Sequence, residues 1–366
     1  MPKNRIRLVG VALLSTAVII SGCGLFGGKT NDEIDPPQEI SYMENNEDVN
    51  QNAESAEGEE GKHNEKDQKE QATETVQRTL FLIDKNGMVV PQTLDLPTTK
   101  SVAKQVVEYL VEDGPVANIL PNGFRAVIPR GTTVQSVNIK EDGTAVVDFS
   151  KEFTEYQPKD EQKILQAVTY TLTQFDNVNK VKLWINGHEL KEMPVNGTPI
   201  DDGVSREDGI NIMTTSVVDI TNSHPLTVYY LTEREGQVYY VPVTKRVPNT
   251  NKDSVEAAVA ALIDGPELSS GLLNEFQPGV KLLESPMYED GQVTLNFNEA
   301  IYSSFDEKKK MISKNILDAL VLTVTEQPGV DSVVIQVNGK QDLVDEEGNQ
   351  LTKPVTRPEK VNTGSF

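Results

Sequence analysis

Few side chains in this sequence are of the types that act as nucleophiles, general bases or metal ligands. The 366 residues include three histidines, His63, His188 and His224, and one cysteine, Cys23. His63 lies in a charged segment that cannot hold a side chain in one orientation, His188 follows an Asn-Gly turn, and His224 belongs to no recognisable catalytic constellation. We therefore predict no serine-type triad, no cysteine-based zinc site, and no other metal or cofactor.

Carboxylates are the remaining candidates for catalysis, because two of them across a cleft suffice for glycoside hydrolysis. Asp148 is the best single candidate, yet the second copy of the repeat described below has Asn296 at the matching position. Asp142 and Asp290 each precede a glycine, and turn formation explains them without catalysis. Hydrolysis of a glycan therefore stays as an alternative function.

Aromatic side chains could instead form a stacking surface for a ligand. The candidates are Trp184 and two tyrosine pairs, Tyr229-Tyr230 and Tyr239-Tyr240. Because alternate residues of a strand point to opposite faces, such pairs more often contribute one ring each to a core. We expect these rings to be structural.

The charge of the chain excludes one class of partner. With 56 acidic residues against 34 basic ones the net charge is −22, so a nucleic-acid backbone would be repelled. Only 37% of the residues are hydrophobic, below the roughly 45–50% of globular domains. Part of the chain is therefore expected to be unfolded polar sequence that dilutes a normal core.

The N-terminus resembles a bacterial lipoprotein signal. Basic residues precede an apolar run from Leu8 to Ile20, and Ile20-Ser21-Gly22-Cys23 resembles a lipobox. The run is about 13 residues, whereas a membrane-spanning helix needs about 20. The resemblance implies that residues 1–22 are removed and that Cys23 receives S-diacylglyceryl and N-acyl chains. These would anchor the protein to the lipid bilayer at the outer face of the cell membrane.

An acidic tether is predicted to follow the lipidated cysteine, over residues 23–77. From Gly24 to Gln77 there are 15 acidic residues and four lysines, with almost no apolar clusters. Such a composition cannot bury a core and is typical of disorder. The folded part would thus be held above the membrane by a flexible spacer.

Two stretches of the sequence are copies of one another. Residues 164–187 align with residues 316–339 without a gap at an offset of 152 residues, and nine of the 24 positions are identical. The chain therefore carries two tandem homologous domains. The predicted boundaries are residues 78–200 for the first domain, 201–225 for a linker, 226–354 for the second domain, and 355–366 for a C-terminal tail.

Each copy predicts the order strand, helix, strand, strand, helix, strand. The opening strand is Thr79–Ile83 or Leu226–Leu231, and apolar residues recur at three-to-four spacing in both helices. Asp142-Gly143 favours a tight turn between the hairpin strands Val134–Ile139 and Thr144–Phe149. We expect an α+β sandwich in each copy, with strands on one face and two helices on the other.

Two kinds of turn recur in both copies and are interpreted as structural. Asp113-Gly114-Pro115 and Asp264-Gly265-Pro266 are expected to end the first helix, because glycine tolerates a left-handed cap and proline cannot continue a helix. Asn186-Gly187 and Asn338-Gly339 close the last strand with a tight turn.

The lipobox, the acidic spacer and the two units with these turns resemble the GerM family of spore germination and sporulation lipoproteins. The resemblance covers residues 78–200 and 226–354, which correspond to the two GerMN domains of that family. It implies an endospore-forming, Bacillus-type bacterium and a membrane-tethered protein needed to make and germinate spores. It also implies a domain akin to the ring-building motif of bacterial secretion and sporulation channels.

The duplication of one fold without a recognisable active site favours action through surfaces. Our hypothesis is a non-catalytic scaffold in the space between the mother-cell and forespore membranes, in contact with other ring-forming sporulation membrane proteins. Self-association is a further possibility, since a head-to-tail contact that closes makes a ring. The alternatives are a module that binds the peptidoglycan of the spore cortex and a hydrolase that cuts it.

Overall fold

The computed structural model describes residues 74–213, 221–234, 236–250, 253–303 and 310–363. The predicted signal peptide, Cys23, His63 and most of the predicted tether lie outside these residues. All described residues belong to one of the two units into which the chain divides, Asp35–Phe366. Within the described ranges, no helix is both long enough and apolar enough to cross a bilayer.

The first repeat opens with a hairpin of two long strands. β1 starts at Thr75, before the predicted start at Thr79, and pairs antiparallel with a second strand that the sequence analysis did not predict. The elements of this repeat are β1 (Thr75–Ile83), β2 (Val89–Pro97), α1 (Val102–Glu108), β3 (Val134–Ile139), β4 (Thr144–Phe149), α2 (Glu161–Leu172), β5 (Lys180–Ile185) and β6 (His188–Glu189).

The second repeat has the same order of elements, including the added strand of the opening hairpin. Its elements are β7 (Ser223–Arg234), β8 (Gln237–Pro248), α3 (Ser254–Asp264), β9 (Met287–Glu289), β10 (Gln292–Phe297), α4 (Lys314–Val324), β11 (Ser332–Val337) and β12 (Val355–Thr356). The α+β class and the tandem arrangement are thus confirmed, while each unit begins strand, strand, helix instead of strand, helix.

Each repeat has two sheets where a single strand layer is predicted. The opening hairpins form two-stranded sheets, β1-β2 and β7-β8, and the remaining strands form four-stranded sheets in the orders β3-β4-β5-β6 and β12-β11-β10-β9. The central pairs, β4 with β5 and β10 with β11, are parallel. A parallel pair needs a crossover connection, which α2 and α4 provide.

The second helix of each repeat packs against the opening hairpin and binds it with a hydroxyl group. Thr171 Oγ1 accepts the Phe81 N–H at 3.0 Å, and Thr323 Oγ1 accepts the Tyr229 N–H at 2.9 Å. Both threonines are buried. A buried backbone donor without a partner is costly, so the same hydrogen bond joins helix and hairpin in both copies.

The Asp-Gly-Pro turns differ between the copies. In the second, α3 ends at Asp264 and Gly265 has φ +83°, a conformation that favours glycine. In the first, α1 ends at Glu108 and Gly114 has φ −75°, so the expected left-handed cap at Gly114 is wrong. Glycine is needed there for another reason, because a Cβ would lie 2.6 Å from the Glu108 carbonyl oxygen.

Candidate functional site

Asp148, the best sequence candidate for catalysis, holds a turn. Its two carboxylate oxygens accept the Gly187 N–H, each at 3.0 Å. In the second repeat Asn296 Oδ1 accepts the Gly339 N–H at 2.9 Å. Because an amide does the same work as the carboxylate, this hydrogen bond explains why aspartate and asparagine interchange between the copies.

The remaining turn residues also have local roles. Asn186 and Asn338 both have φ +50°, and the glycines after them are also left-handed, as a tight two-residue turn requires. Asp142 Oδ1 accepts the Thr144 N–H at 2.9 Å, and this backbone hydrogen bond lowers the pKa of the Asp142 carboxyl. Asp290 lies in the matching hairpin turn with φ +44°.

The two histidines from the sequence analysis that the structure describes form no site, and the tyrosines lie on the β7-β8 hairpin, where Tyr240 packs against Tyr229 and its neighbours. His188 is exposed on β6, and His224 lies with Nδ1 3.0 Å from Asn249 Oδ1. Tyr229, Tyr230 and Tyr239 are all core residues. No cluster of three or more histidine, cysteine, aspartate or glutamate side chains in the described part of the chain is placed to hold a metal ion.

The strongest feature shared by the repeats is a pair of arms that follow them, residues 206–213 and 357–363. In the first arm, the Ile210 N–H donates to Thr244 Oγ1 on β8, and the Thr244 N–H donates to the Ile210 carbonyl, both at 2.8 Å. In the second arm, the Val361 N–H donates to Thr93 Oγ1 on β2 at 2.9 Å, and the Thr93 N–H donates to the Val361 carbonyl at 3.0 Å. Each arm therefore lies on the opening hairpin of the other repeat.

Asn211 joins the two hairpins from the first arm. Its Nδ2 donates to the Val89 carbonyl at 2.7 Å and to the Pro242 carbonyl at 2.8 Å, and its Oδ1 accepts the Val89 N–H at 2.8 Å. Val89 belongs to the first repeat and Pro242 to the second. One side chain thus bonds β2 to β8.

Asn362 makes the matching set from the second arm. Its Nδ2 donates to the carbonyls of Pro91 and Tyr240, both at 2.8 Å, and its Oδ1 accepts the Tyr240 N–H at 2.8 Å. Asn211 and Asn362 are 151 residues apart, the same separation as the two Asp-Gly-Pro turns. The interface between the repeats is therefore isologous, with a quasi-two-fold relation inside one chain.

A buried ion cluster lies at the same interface. Arg206 and Arg357, again 151 residues apart, both pair with Glu326, and the Arg357 Nη2 to Glu326 Oε2 distance is 3.0 Å. The Glu326 side chain is only 6% exposed. Burial by itself would raise the pKa of the Glu326 carboxyl, but the Arg206 and Arg357 guanidinium groups hold it below its usual range.

Each arginine also covers a tyrosine ring. The Arg206 guanidinium carbon lies 4.6 Å from the Tyr170 ring centroid, and that of Arg357 lies 5.2 Å from the Tyr229 centroid. Both contacts are within the range of cation–π attraction. The two repeats are thus joined by the Glu326 carboxylate, the two guanidinium groups and the two tyrosine rings.

A set of exposed apolar side chains, the β9 patch, lies on the edge strand of the second sheet and in the segment just before it. It consists of Leu283, Met287 and Tyr288, with relative exposures of 45%, 52% and 54%. At the offset of 148 residues that matches Asp142 with Asp290, the first repeat has Gln135, Ile139 and Lys140 in place of Leu283, Met287 and Tyr288. The two edges therefore differ in polarity at two of these three positions, although the strand order of the two sheets corresponds.

These features define a tandem α+β protein whose two repeats are fused through an isologous interface. The chain belongs to the Germane family, described as sporulation and spore germination, whose model matches residues 79–191 and 227–343. It is 55% identical over 367 residues to the spore germination protein GerM of Bacillus subtilis (strain 168), over 100% of both chains. The family resemblance predicted from the sequence is thus confirmed.

Two solved structures from the same organism are similar to this chain. The tandem GerMN domains of the sporulation protein GerM from Bacillus subtilis match with a TM-score of 0.75 and 59% identity, over 79% of this chain and 100% of that chain. The first GerMN domain of the same protein matches with a TM-score of 0.36 and 67% identity, over 37% of this chain and 100% of that chain. The chain is therefore a homologue of a sporulation and germination protein with two GerMN domains.

Proposed function

We propose that this protein is a lipid-anchored, extracytoplasmic scaffold for sporulation and germination that acts by protein–protein contact and not by catalysis. The observation that carries the proposal is the β9 patch. Three large apolar side chains are exposed within six residues at a sheet edge where the first repeat has the polar residues Gln135 and Lys140 at two of the three matching positions. Clustered exposed apolar surface at one place on a protein is typical of an interaction site.

The form of the edge supports contact through side chains. β9 is only three residues long, and Pro286 immediately precedes it. A short edge strand and a proline both limit strand addition, because proline has no N–H to offer. We therefore propose that the partner packs on Leu283, Met287 and Tyr288 and does not extend the sheet.

The interface between the repeats supports the scaffold role in a second way. An isologous contact is satisfied once its two halves meet, and here both halves are in one chain. Assembly with ring-forming membrane proteins of the sporulating cell, or with further copies of this chain, must then use other faces. The β9 patch belongs to one repeat only, so it would give the assembly a direction.

Substitutions copied from the first repeat test the patch. We expect Leu283→Gln with Tyr288→Lys to leave the fold intact, because both side chains are about half exposed, and to reduce crosslinked copurification of membrane partners from sporulating cells. Leu268→Ser is the matched control, since Leu268 is a fully exposed apolar residue that follows the C-terminal end of α3 and lies outside the β9 patch. Unchanged capture by the double variant, or equal loss in the control, would overturn the proposal.

The alternative functions are separated by incubating the chain that follows Cys23 with cortex sacculi. The scaffold proposal predicts neither release of soluble glycan fragments nor sedimentation of the protein with the sacculi. Release would identify a hydrolase. Sedimentation without release would identify a peptidoglycan-binding module.

The membrane anchor is a proposal that depends on the lipobox at Ile20–Cys23. We expect Cys23→Ala to move the protein from the membrane fraction of sporulating cells to the soluble fraction, because the thioether-linked chains are lost. Membrane retention of that variant would contradict lipid anchoring at Cys23.

A further inference from the structure

A cavity of about 370 Å³ lies between the repeats, next to the ion cluster. Its lining includes the three charged residues Arg206, Glu326 and Arg357, together with Gln174 and the threonines Thr173 and Thr325. The two arginine side chains are 32% and 34% exposed. Glu326 is nearly covered.

The charges that line this cavity do not balance. Two guanidinium groups face a single carboxylate, which leaves one positive charge in a chain whose net charge is −22. In the first repeat the residue at the offset of 152 from Glu326 is Gln174, whose Nε2 donates to the carbonyls of Thr79 and Thr171. The first repeat therefore contributes no carboxylate to match Glu326, and the two guanidinium groups share one acid.

Each guanidinium group is fixed by a hydrogen bond to a threonine hydroxyl. Thr173 Oγ1 accepts from Arg206 Nε at 2.9 Å while it donates to the Thr169 carbonyl at 2.7 Å. Thr325 Oγ1 accepts from Arg357 Nη1 at 3.2 Å while it donates to the Val321 carbonyl at 2.7 Å. Both hydroxyl protons are thus committed to helix carbonyls, and the hydroxyl oxygens fix the arginines.

Donors remain after these bonds are made. A guanidinium has five N–H groups, and Arg357 Nε has no acceptor among the described residues, since its bonds run through Nη1 and Nη2. Arginine held in a fixed plane is suited to bind carboxylate or phosphate oxygens through paired hydrogen bonds.

We propose that this cavity binds a small oxyanion, a carboxylate or phosphate group, which supplies the negative charge that the single carboxylate of Glu326 leaves unmatched. The anion would lie between the repeats and contact both arginines. Its binding would strengthen the contact of the two repeats, because each arginine belongs to a different arm. The proposal stands independently of the scaffold function.

Calorimetric titration of the full chain in detergent tests this site. Sodium phosphate and sodium acetate are titrated separately at constant ionic strength set with chloride, so that the two arms distinguish the two sources of oxyanion. We expect saturable binding of at least one of them. Absence of saturable heat with both anions would overturn the proposal.

Two variants locate the site. Gln174→Glu adds a negative charge to the lining of the cavity and is expected to weaken binding roughly tenfold by neutralising it. Gln162→Glu is the matched control, because it makes the same change at an exposed position in the first turn of α2, about 15 Å from the last residue of that helix. If Gln174→Glu and the unmodified chain bind the anion with equal affinity, the anion does not bind in this cavity.

A third variant keeps the test decisive if Gln174→Glu does not fold. Arg357→Lys retains the positive charge but removes the planar donor group, and weaker binding of the same anion is expected. Unchanged affinity in Arg357→Lys would contradict recognition by the guanidinium.

Discussion

The hydrogen bond from the Gly187 N–H to Asp148 is repeated in the second domain by the bond from Gly339 to Asn296. At the scale of single residues, this pair shows that a carboxylate, a group able to act in catalysis, can serve as the hydrogen-bond acceptor of a turn. The same holds for Asp142, whose carboxylate accepts the Thr144 N–H.

The role of Asp148 leads to a stability prediction. We expect Asp148→Asn to change the free energy of unfolding by less than about 0.5 kcal/mol, because asparagine keeps the acceptor, and Asp148→Ala to lower it by about 1 kcal/mol. Urea unfolding of both variants measures the difference. Normal stability with lost spore formation in Asp148→Asn would instead indicate chemistry at this carboxylate.

At the scale of elements, the arms cover the outer edges of the two opening hairpins. β2 and β8 bond to their own repeat along one side and to the arm of the other repeat along the opposite side. An exposed strand edge is prone to unwanted pairing, and the arms cover these two edges. The C-terminal tail predicted at 355–366 is therefore an integral part of the fold through Val355–Thr356 and Asn362.

The arm asparagines are the most sensitive positions of these elements. Asn362→Asp keeps an acceptor and tolerates the left-handed φ of +55°, but it removes both donors to the Pro91 and Tyr240 carbonyls. We expect a loss of about 2–4 kcal/mol in the free energy of unfolding, since buried carbonyls are left unpaired beside a buried charge.

The control for Asn362→Asp is Asn118→Asp, which makes the same chemical change at an exposed residue. Its free energy of unfolding should stay within about 0.5 kcal/mol of the unmodified chain. A comparable loss in the two variants, measured by urea unfolding, would show that the arm bonds are not the cause.

At the scale of the whole molecule, the exchanged arms make the two repeats depend on each other. Neither hairpin keeps its full set of partners if the other repeat unfolds, because each arm belongs to the opposite repeat. The Arg206–Glu326–Arg357 cluster adds the same dependence, since its two arginines come from different arms.

This dependence predicts cooperative unfolding. We expect a single urea transition for the unmodified protein, with tryptophan fluorescence from Trp184 in the first repeat coinciding with far-ultraviolet circular dichroism. In the double variant Asn211→Asp with Asn362→Asp, the two probes should separate as the repeats uncouple. Separate transitions in the unmodified protein would refute the coupling.

Local patterns in the sequence were sufficient for much of each repeat. The hairpin strands Val134–Ile139 and Thr144–Phe149 have the predicted bounds, and α2 and α4 bury the predicted apolar faces. The offset of 152 residues revealed the duplication, because homologous copies keep the same spacing of buried residues and turns. These features depend on interactions between residues close together in the chain, and such interactions leave a periodic pattern or a turn motif in the sequence.

The tertiary structure alone decided β2, β8 and the arms. β2 contains Pro91 and ends at Pro97, so its local pattern does not predict a strand, and it is held by pairing with β1 and by the second arm. Asn211 bonds to Val89 across 122 residues and Asn362 to Pro91 across 271 residues. Hydrogen bonds over such separations depend on how complete repeats pack, and neither helical nor strand periodicity encodes that packing.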